Sequence, residues 1–95
     1  MIISFRGQLA RDLFYDCVTG VTRRFPQELR AVAQRKLQYL NAAVRLEDLR
    51  VPPGNWLEML RGDLKGRHSI RVNDRWRIVF RWDQGAKDVE IVDYH

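Results

Sequence analysis

The sequence predicts an α+β fold in which an N-terminal strand and two helices pack on one face of a small antiparallel sheet. Apolar residues recur every three to four positions through the first half, and the period changes to two in the second. Between the halves, Val51-Pro52-Pro53-Gly54-Asn55 stops any regular element but is one loop, too short to be a linker. Residues 1–95 therefore read as one domain, long enough to bury about 60–65% of the unfolded surface.

Ile2 to Phe5 opens the chain as a short strand. Leu9, Leu13 and Phe14, with Cys17 close behind, keep helical spacing, and Gly20 is expected to end that segment. Phe25-Pro26-Gln27-Glu28 opens the next helix, with proline in its first turn and an acid placed for the dipole. Leu29, Val32, Ala33, Lys36, Leu37, Leu40 and Val44 form its inward stripe over roughly 26–43. Its polar face carries Arg30, Gln34, Arg35 and Gln38, a solvated surface. Leu46 to Leu49 makes a short helical turn, and a further strand is expected near Leu57 to Arg61.

Three alternating runs follow: His68-Ile70-Val72, Trp76-Ile78-Phe80-Trp82 and Val89-Ile91. Turns around Asn73-Asp74 and Gln84-Gly85 make them an antiparallel meander. Matching apolar partners pairs Val72 with Trp76, Phe80 with Ile91 and Trp82 with Val89. That register sets Arg71 across from Arg77, Arg81 across from Glu90 and Arg77 across from Tyr94. One sheet face is then apolar and holds the helices. The other gathers Ser69, Arg71, Arg77, Arg81 and Tyr94, with His95 at its edge. Two directly opposed arginines repel unless an anion lies between them, so this face suits a phosphate.

Net charge is +5, and the cations are fourteen Arg against three Lys. Guanidinium is a planar fork that matches phosphate bidentately and stacks on bases, so a nucleic-acid partner is expected. The start of the chain is charged too soon for a signal peptide, and no apolar run approaches the ~18 residues of a membrane span. A single cysteine, Cys17, excludes an internal disulfide and fits a reducing cytoplasm. It is expected to be a small buried hydrophobe.

No cysteine pair, acid cluster or glycine-rich phosphate loop has the spacing of a metal or nucleotide site, so no cofactor is expected. A metal-free ribonuclease needs a base for the 2′-hydroxyl, an acid for the departing 5′-oxygen, and cations for the crowded phosphorane. The candidate proton carriers are His95, Tyr94, Asp93 and Glu58. His95 also bears the chain's own carboxylate, which favours its imidazolium. Arg61, Arg77 and Lys65 are the electrostatic candidates, and Lys65, Arg67, Arg71 and Arg81 are the expected RNA contacts. Against each stands a structural role. Arg81 is expected to pair with Glu90, His68 to pack on the apolar face, and Glu58 either to act or to pair with Arg61. Asp93 falls on the apolar parity and reads as an orienting group.

The stretch Arg45-Leu46-Glu47-Asp48-Leu49, Pro52-Pro53-Gly54-Asn55, Leu57-Glu58, Leu60-Arg61-Gly62, Gly66, His68-Ser69-Ile70-Arg71-Val72-Asn73, Trp76-Arg77 and Asp93-Tyr94-His95 resembles the HigB branch of the RelE-like toxins. The resemblance covers essentially the whole chain. It implies a RelE-like fold, mRNA cleavage in the ribosomal A site, a HigA-like helix-turn-helix antitoxin, and operator DNA bound through the toxin–antitoxin complex. Carried over, Arg77, Asp93, Tyr94 and His95 match the family's active-site arginine and terminal motif. Arg61 stands where several members have lysine, and Glu58 where some have histidine, which removes one proton carrier. The competing class is a non-catalytic basic nucleic-acid-binding module or co-repressor, which would need the arginines but not the phenol or imidazole.

Overall fold

A computed structural model of the chain describes residues 1–93. The expected α+β layering is present. Helix α1 (Gln8–Phe14), helix α2 (Gly20–Arg24) and helix α3 (Arg30–Ala42) precede strands β1 (Glu58–Met59), β2 (Arg67–Arg71), β3 (Trp76–Trp82) and β4 (Ala86–Asp93). The sheet is an antiparallel meander in the order β1-β2-β3-β4.

Gly20 opens a helix instead of ending one. Helix α1 already stops at Phe14, and Asp16 turns the chain with a left-handed φ of 57°. Thr19 then caps α2, its hydroxyl accepting from Thr22 N at 3.3 Å while Thr22 Oγ1 accepts from Thr19 N at 2.8 Å. Buried Asp12 ties the two helices together: Oδ2 accepts from Gln8 Nε2 at 2.8 Å and from Thr19 Oγ1 at 2.9 Å. The Gln8 hydrogen bond is the main reason its carboxyl titrates below the usual range. Cys17 lies past the end of α1 in this connection and is exposed, not buried, because helical spacing no longer applies there.

The long amphipathic segment splits into a 3-10 turn over Gln27–Leu29 and α3. Ala33, Lys36, Leu37 and Leu40 face inward as the stripe requires, whereas Val44 is left exposed because Ala43 has already turned to extended backbone. These residues meet Ile70, Val72, Ile78, Phe80, Val89 and Ile91 from the sheet, with Ala10, Leu13, Phe25 and Leu49 completing the core. The predicted opening strand is reduced to two isolated parallel bridges, Ile2 with Ala86 and Phe5 with Val89. Its close approach demands glycine in the β3–β4 turn, since a Cβ on Gly85 would lie 2.6 Å from Ile3 Cδ1 and 2.9 Å from Met1 O.

Register holds in one hairpin and shifts in the other. Between β2 and β3, Arg71 opposes Arg77 and Ile70 opposes Ile78, as expected, and Val72 N donates to Trp76 O at 2.9 Å. Between β3 and β4, Ile78 opposes Ile91, Arg77 opposes Val92 and Trp76 opposes Asp93. The expected pairings of Phe80 with Ile91, Trp82 with Val89 and Arg77 with Tyr94 are therefore displaced. The turn is tighter than the apolar pattern suggests, with Trp82 paired to Ala86, and the register shifts by one between Val79 and Arg81. Asp88 supplies the extra residue in left-handed backbone (φ 52°). That bulge lets Ala86 and Val89, three positions apart, both enter the core.

Candidate functional site

The sheet face opposite the apolar core carries three rows of mostly polar positions. One runs Glu58, Ser69, Val79, Glu90 across all four strands; the next runs Arg71, Arg77, Val92. Arg67 and Arg81 oppose each other in a third row, beside Lys87. Ser69 and Val79, at the centre, are buried, although Ser69 is expected on an open polar face. Long arginine and glutamate stems occupy the neighbouring register positions around them.

Each opposed arginine has its own anchor. Arg71 Nη2 donates to Asp74 Oδ1, and its guanidinium carbon lies 5.6 Å from the centre of the Trp56 ring. Arg77 Nη1 donates to the backbone carbonyls of Asn73 and, at 3.3 Å, Trp76. The turn that presents these carbonyls is itself held by Asn73 Oδ1, which accepts from Arg75 N at 3.0 Å and Trp76 N at 2.8 Å. The hairpin thus opposes the two arginines in register, Arg71 held by a carboxylate and Arg77 by backbone carbonyls.

Glu90 does not pair with Arg81, because the tight β3–β4 turn and the bulge together set it opposite Val79. It lies 3.7 Å from Arg67 Nη1 and 3.8 Å from Arg6 Nε, while Arg81 Nε donates to Asp88 Oδ2 at 2.8 Å. Arg67 Nη1 is buried and makes no hydrogen bond among the described residues. Arg61 and Lys65 flank a 3-10 turn over Gly62–Leu64 in the β1–β2 connection, and both are exposed. Glu58 is exposed on β1, and among the described residues it makes no ion pair with Arg61. Asp93 opposes Trp76, and Arg75 grips its carboxylate with Nη2 at 2.6 Å from Oδ2 and Nε at 3.3 Å from Oδ1. That carboxylate raises the pKa of Arg75. Tyr94 and His95 lie outside the described residues.

His68 packs as expected on the apolar side, opposite Phe80, with ring centroids 5.9 Å apart. Burial pushes its pKa below the ordinary 6.5, so it stands as a neutral ring at neutral pH. It borders a cleft of about 140 Å³ with Leu46, Glu47, Arg50, Leu57 and Met59. The larger groove, about 660 Å³ between the end of α1 and α3, holds none of the predicted site residues among those described.

Two features went unread in the sequence. Trp56 is exposed at the edge of the arginine face, and buried Asn55 beside it accepts from Lys36 Nζ at 2.7 Å. A lysine inside an otherwise apolar stripe was the available signal for that buried contact. A tryptophan between turn formers and a strand, on the parity of Glu58, was the signal for the other.

A family model described as the RelE-like toxin HigB of type II toxin–antitoxin systems matches residues 4–95. Toxin HigB-1 of Vibrio cholerae is 44% identical over 73 residues, which is 77% of this chain and 77% of that one. An uncharacterized protein of Haemophilus influenzae is 33% identical over 72 residues, 76% of this chain and 71% of its own. Among solved structures, the YoeB–YefM complex from Staphylococcus aureus contains a chain of the same fold, with a TM-score of 0.61, 18% identity, and 100% of this chain and 98% of that chain covered. Family model, relative and fold agree: this chain belongs to the HigB-like toxins of the RelE-like, type II toxin–antitoxin group.

Proposed function

We propose that this toxin is a ribosome-dependent mRNA endoribonuclease that works through side-chain acid–base groups and fixed cations. The register carries the reading. Arg71 and Arg77 are opposed on one hairpin, and Asp93 closes β4 opposite Trp76, one residue from Arg77. In the reaction, the 2′-oxygen bonds to phosphorus and the 5′-oxygen leaves. The proton of the 2′-hydroxyl passes to a base, and an acid supplies one to the 5′-oxygen. A 2′,3′-cyclic phosphate and a 5′-hydroxyl end result.

Arg77 suits the phosphorane because the Asn73 and Trp76 carbonyls orient its guanidinium before substrate arrives. Arg61 adds a second cation from the exposed β1–β2 connection, and Lys65 and Arg71 hold the RNA backbone. Arg67 and Arg81, engaged with Glu90 and Asp88, contribute mainly to the local field. Tyr94 and His95 take the proton transfers, on the strength of the terminal motif they share with the family. Asp93, gripped by Arg75, keeps its orienting role, and Glu58 stands in reserve as an exposed proton carrier. So small a face needs the ribosomal A site to hold the mRNA.

We assign it a helix-turn-helix antitoxin as partner and operator DNA through their complex. The type II family description and the occurrence of a chain of this fold in complex with YefM support that assignment. No helix among the described residues is long and apolar enough to cross a membrane, which accords with the cytoplasmic ribosome as target.

Mapping mRNA 5′ ends after induced expression tests the reading. Breaks within codons are expected with the wild type and lost in Arg77→Ala and in the Tyr94→Ala, His95→Gln double variant. Breaks that persist in both variants overturn the site. Growth arrest without breaks in the wild type overturns the nuclease and favours the binding module.

A further inference from the structure

We propose that Trp56 is a stacking platform for an unpaired RNA base, set beside the arginines that hold the backbone. The inference rests on the reading of this face as RNA-binding and adds a base subsite to it.

Trp76 and Trp82 pack against the core, but Trp56 is 59% exposed. Its backbone is left-handed, at φ 50° and ψ 58°, a conformation that bulky L residues rarely adopt. The loop that imposes it is well anchored. Asn55, fully buried, donates through Nδ2 to Leu49 O at 3.1 Å and Val51 O at 3.3 Å, and accepts from buried Lys36. Asn55 N donates to Pro52 O and Trp56 N to Pro53 O, each at 3.0 Å. An exposed indole on a fixed loop is pre-organised, so little order remains to be lost when a flat partner settles on it.

The position selects that partner. Extending the Glu58-to-Ser69 register by two places sets Trp56 beside Arg71, and the Arg71 guanidinium does lie over the ring at 5.6 Å. Arg77 stands directly across from Arg71. Arg61 and Lys65 lie exposed in the same β1–β2 connection. Among the described residues no other ring stacks on Trp56. Arginines beside one exposed indole match a nucleotide in which the backbone meets arginine and the base meets indole. An acidic protein would use the cations but would leave the ring face without a flat counterpart.

The test is equilibrium binding of a fluorescein-labelled ten-nucleotide uridine RNA, with an abasic ribose-phosphate ten-mer as its charge-matched control. Wild type, Trp56→Leu and Trp56→Phe are compared across a salt series. Stacking predicts that Trp56→Leu weakens RNA binding by about 5- to 150-fold, the range for one stacked base. Trp56→Phe keeps most of the affinity, the abasic control binds all three proteins equally, and the salt slope is unchanged because no charge is removed. Equal RNA affinity in wild type and Trp56→Leu overturns the proposal, and is the result expected if a partner protein covers the ring instead. An equal loss on RNA and abasic control also overturns it, since Trp56 would then serve only to place Arg71. Ribosome-dependent cleavage by the wild type is read in parallel. Its absence strikes the nuclease reading alone, whereas cleavage alongside an unaffected Trp56→Leu strikes the stacking alone.

Discussion

The two faces of the sheet are built from alternate residues of the same strands yet obey different rules. On the helix side, Ile70, Ile78, Phe80 and Val89 have no exposed surface, and any well-filled apolar set of the right volume would serve. On the arginine side, individual atoms matter: Nη1 of Arg77 on the Asn73 carbonyl, Nη2 of Arg71 on Asp74. Apolar burial is non-directional and tolerates exchange, whereas phosphate recognition depends on where each donor points. The first face sets how stable the toxin is; the second is the one the proposed function uses.

Variants that damage one face and spare the other break or sharpen this division. Phe80→Ala should lower unfolding free energy by about 3–5 kcal/mol in a denaturant titration, by lost transfer energy and a residual cavity. Cleavage per folded molecule should be unchanged. Arg77→Ala should do the converse: about 10²–10³-fold less cleavage, as for loss of one fixed transition-state donor, with a stability cost near 1 kcal/mol or less. If Arg77→Ala proves mainly a folding defect, the two faces are not separable in this way.

Two pH effects sharpen the comparison further, because each follows from a group withdrawn on the helix side. His68 titrates below 6.5 when folded, so between its folded and ordinary values the unfolded chain binds more protons. Stability should therefore fall as pH drops through that window, and the fall should be smaller in His68→Phe. Lys36, lowered from 10.5 first by burial and then by the charges of Arg35 and Arg71, behaves alike at the alkaline end. Below 10.5 the unfolded chain holds the extra proton, so wild type should gain stability relative to Lys36→Met as pH rises towards that value. Thermal unfolding across pH measures both differences. The smallest effect is expected at the exposed Arg81–Asp88 pair, where Arg81→Ala should cost about 0–1 kcal/mol, and less at high salt.

The helix side was the legible one. Alternation in β2 and β3 placed Ile70, Ile78 and Phe80, and the short Asn73-Asp74 turn left one sensible register, so the Arg71–Arg77 pairing could be read in advance. The β3–β4 hairpin was less legible because two apolar matchings compete there. Pairing Trp82 with Val89 preserves strict alternation; the observed pairing with Ala86 needs a bulge at Asp88, which no hydrophobic pattern announces. The tighter turn displaces the expected register by three places and the bulge restores one, so Arg81 meets Asp88 instead of Glu90 and Arg77 opposes Val92. The family motif named Arg77 and Asp93 but passed over Trp56, whose setting depends on a side chain nineteen positions from its neighbour Asn55.

Residue order by itself determined the layers, the strand sequence, the arginine excess and the family, because these depend on local period, composition and motif, which are properties of short stretches. Tertiary structure alone decided which carboxylate meets which guanidinium, the burial of Ser69, the contact of Lys36 with Asn55, and the exposure of Trp56. Those outcomes turn on contacts between distant segments, where one bulged residue or one loop anchor redirects every side chain beyond it.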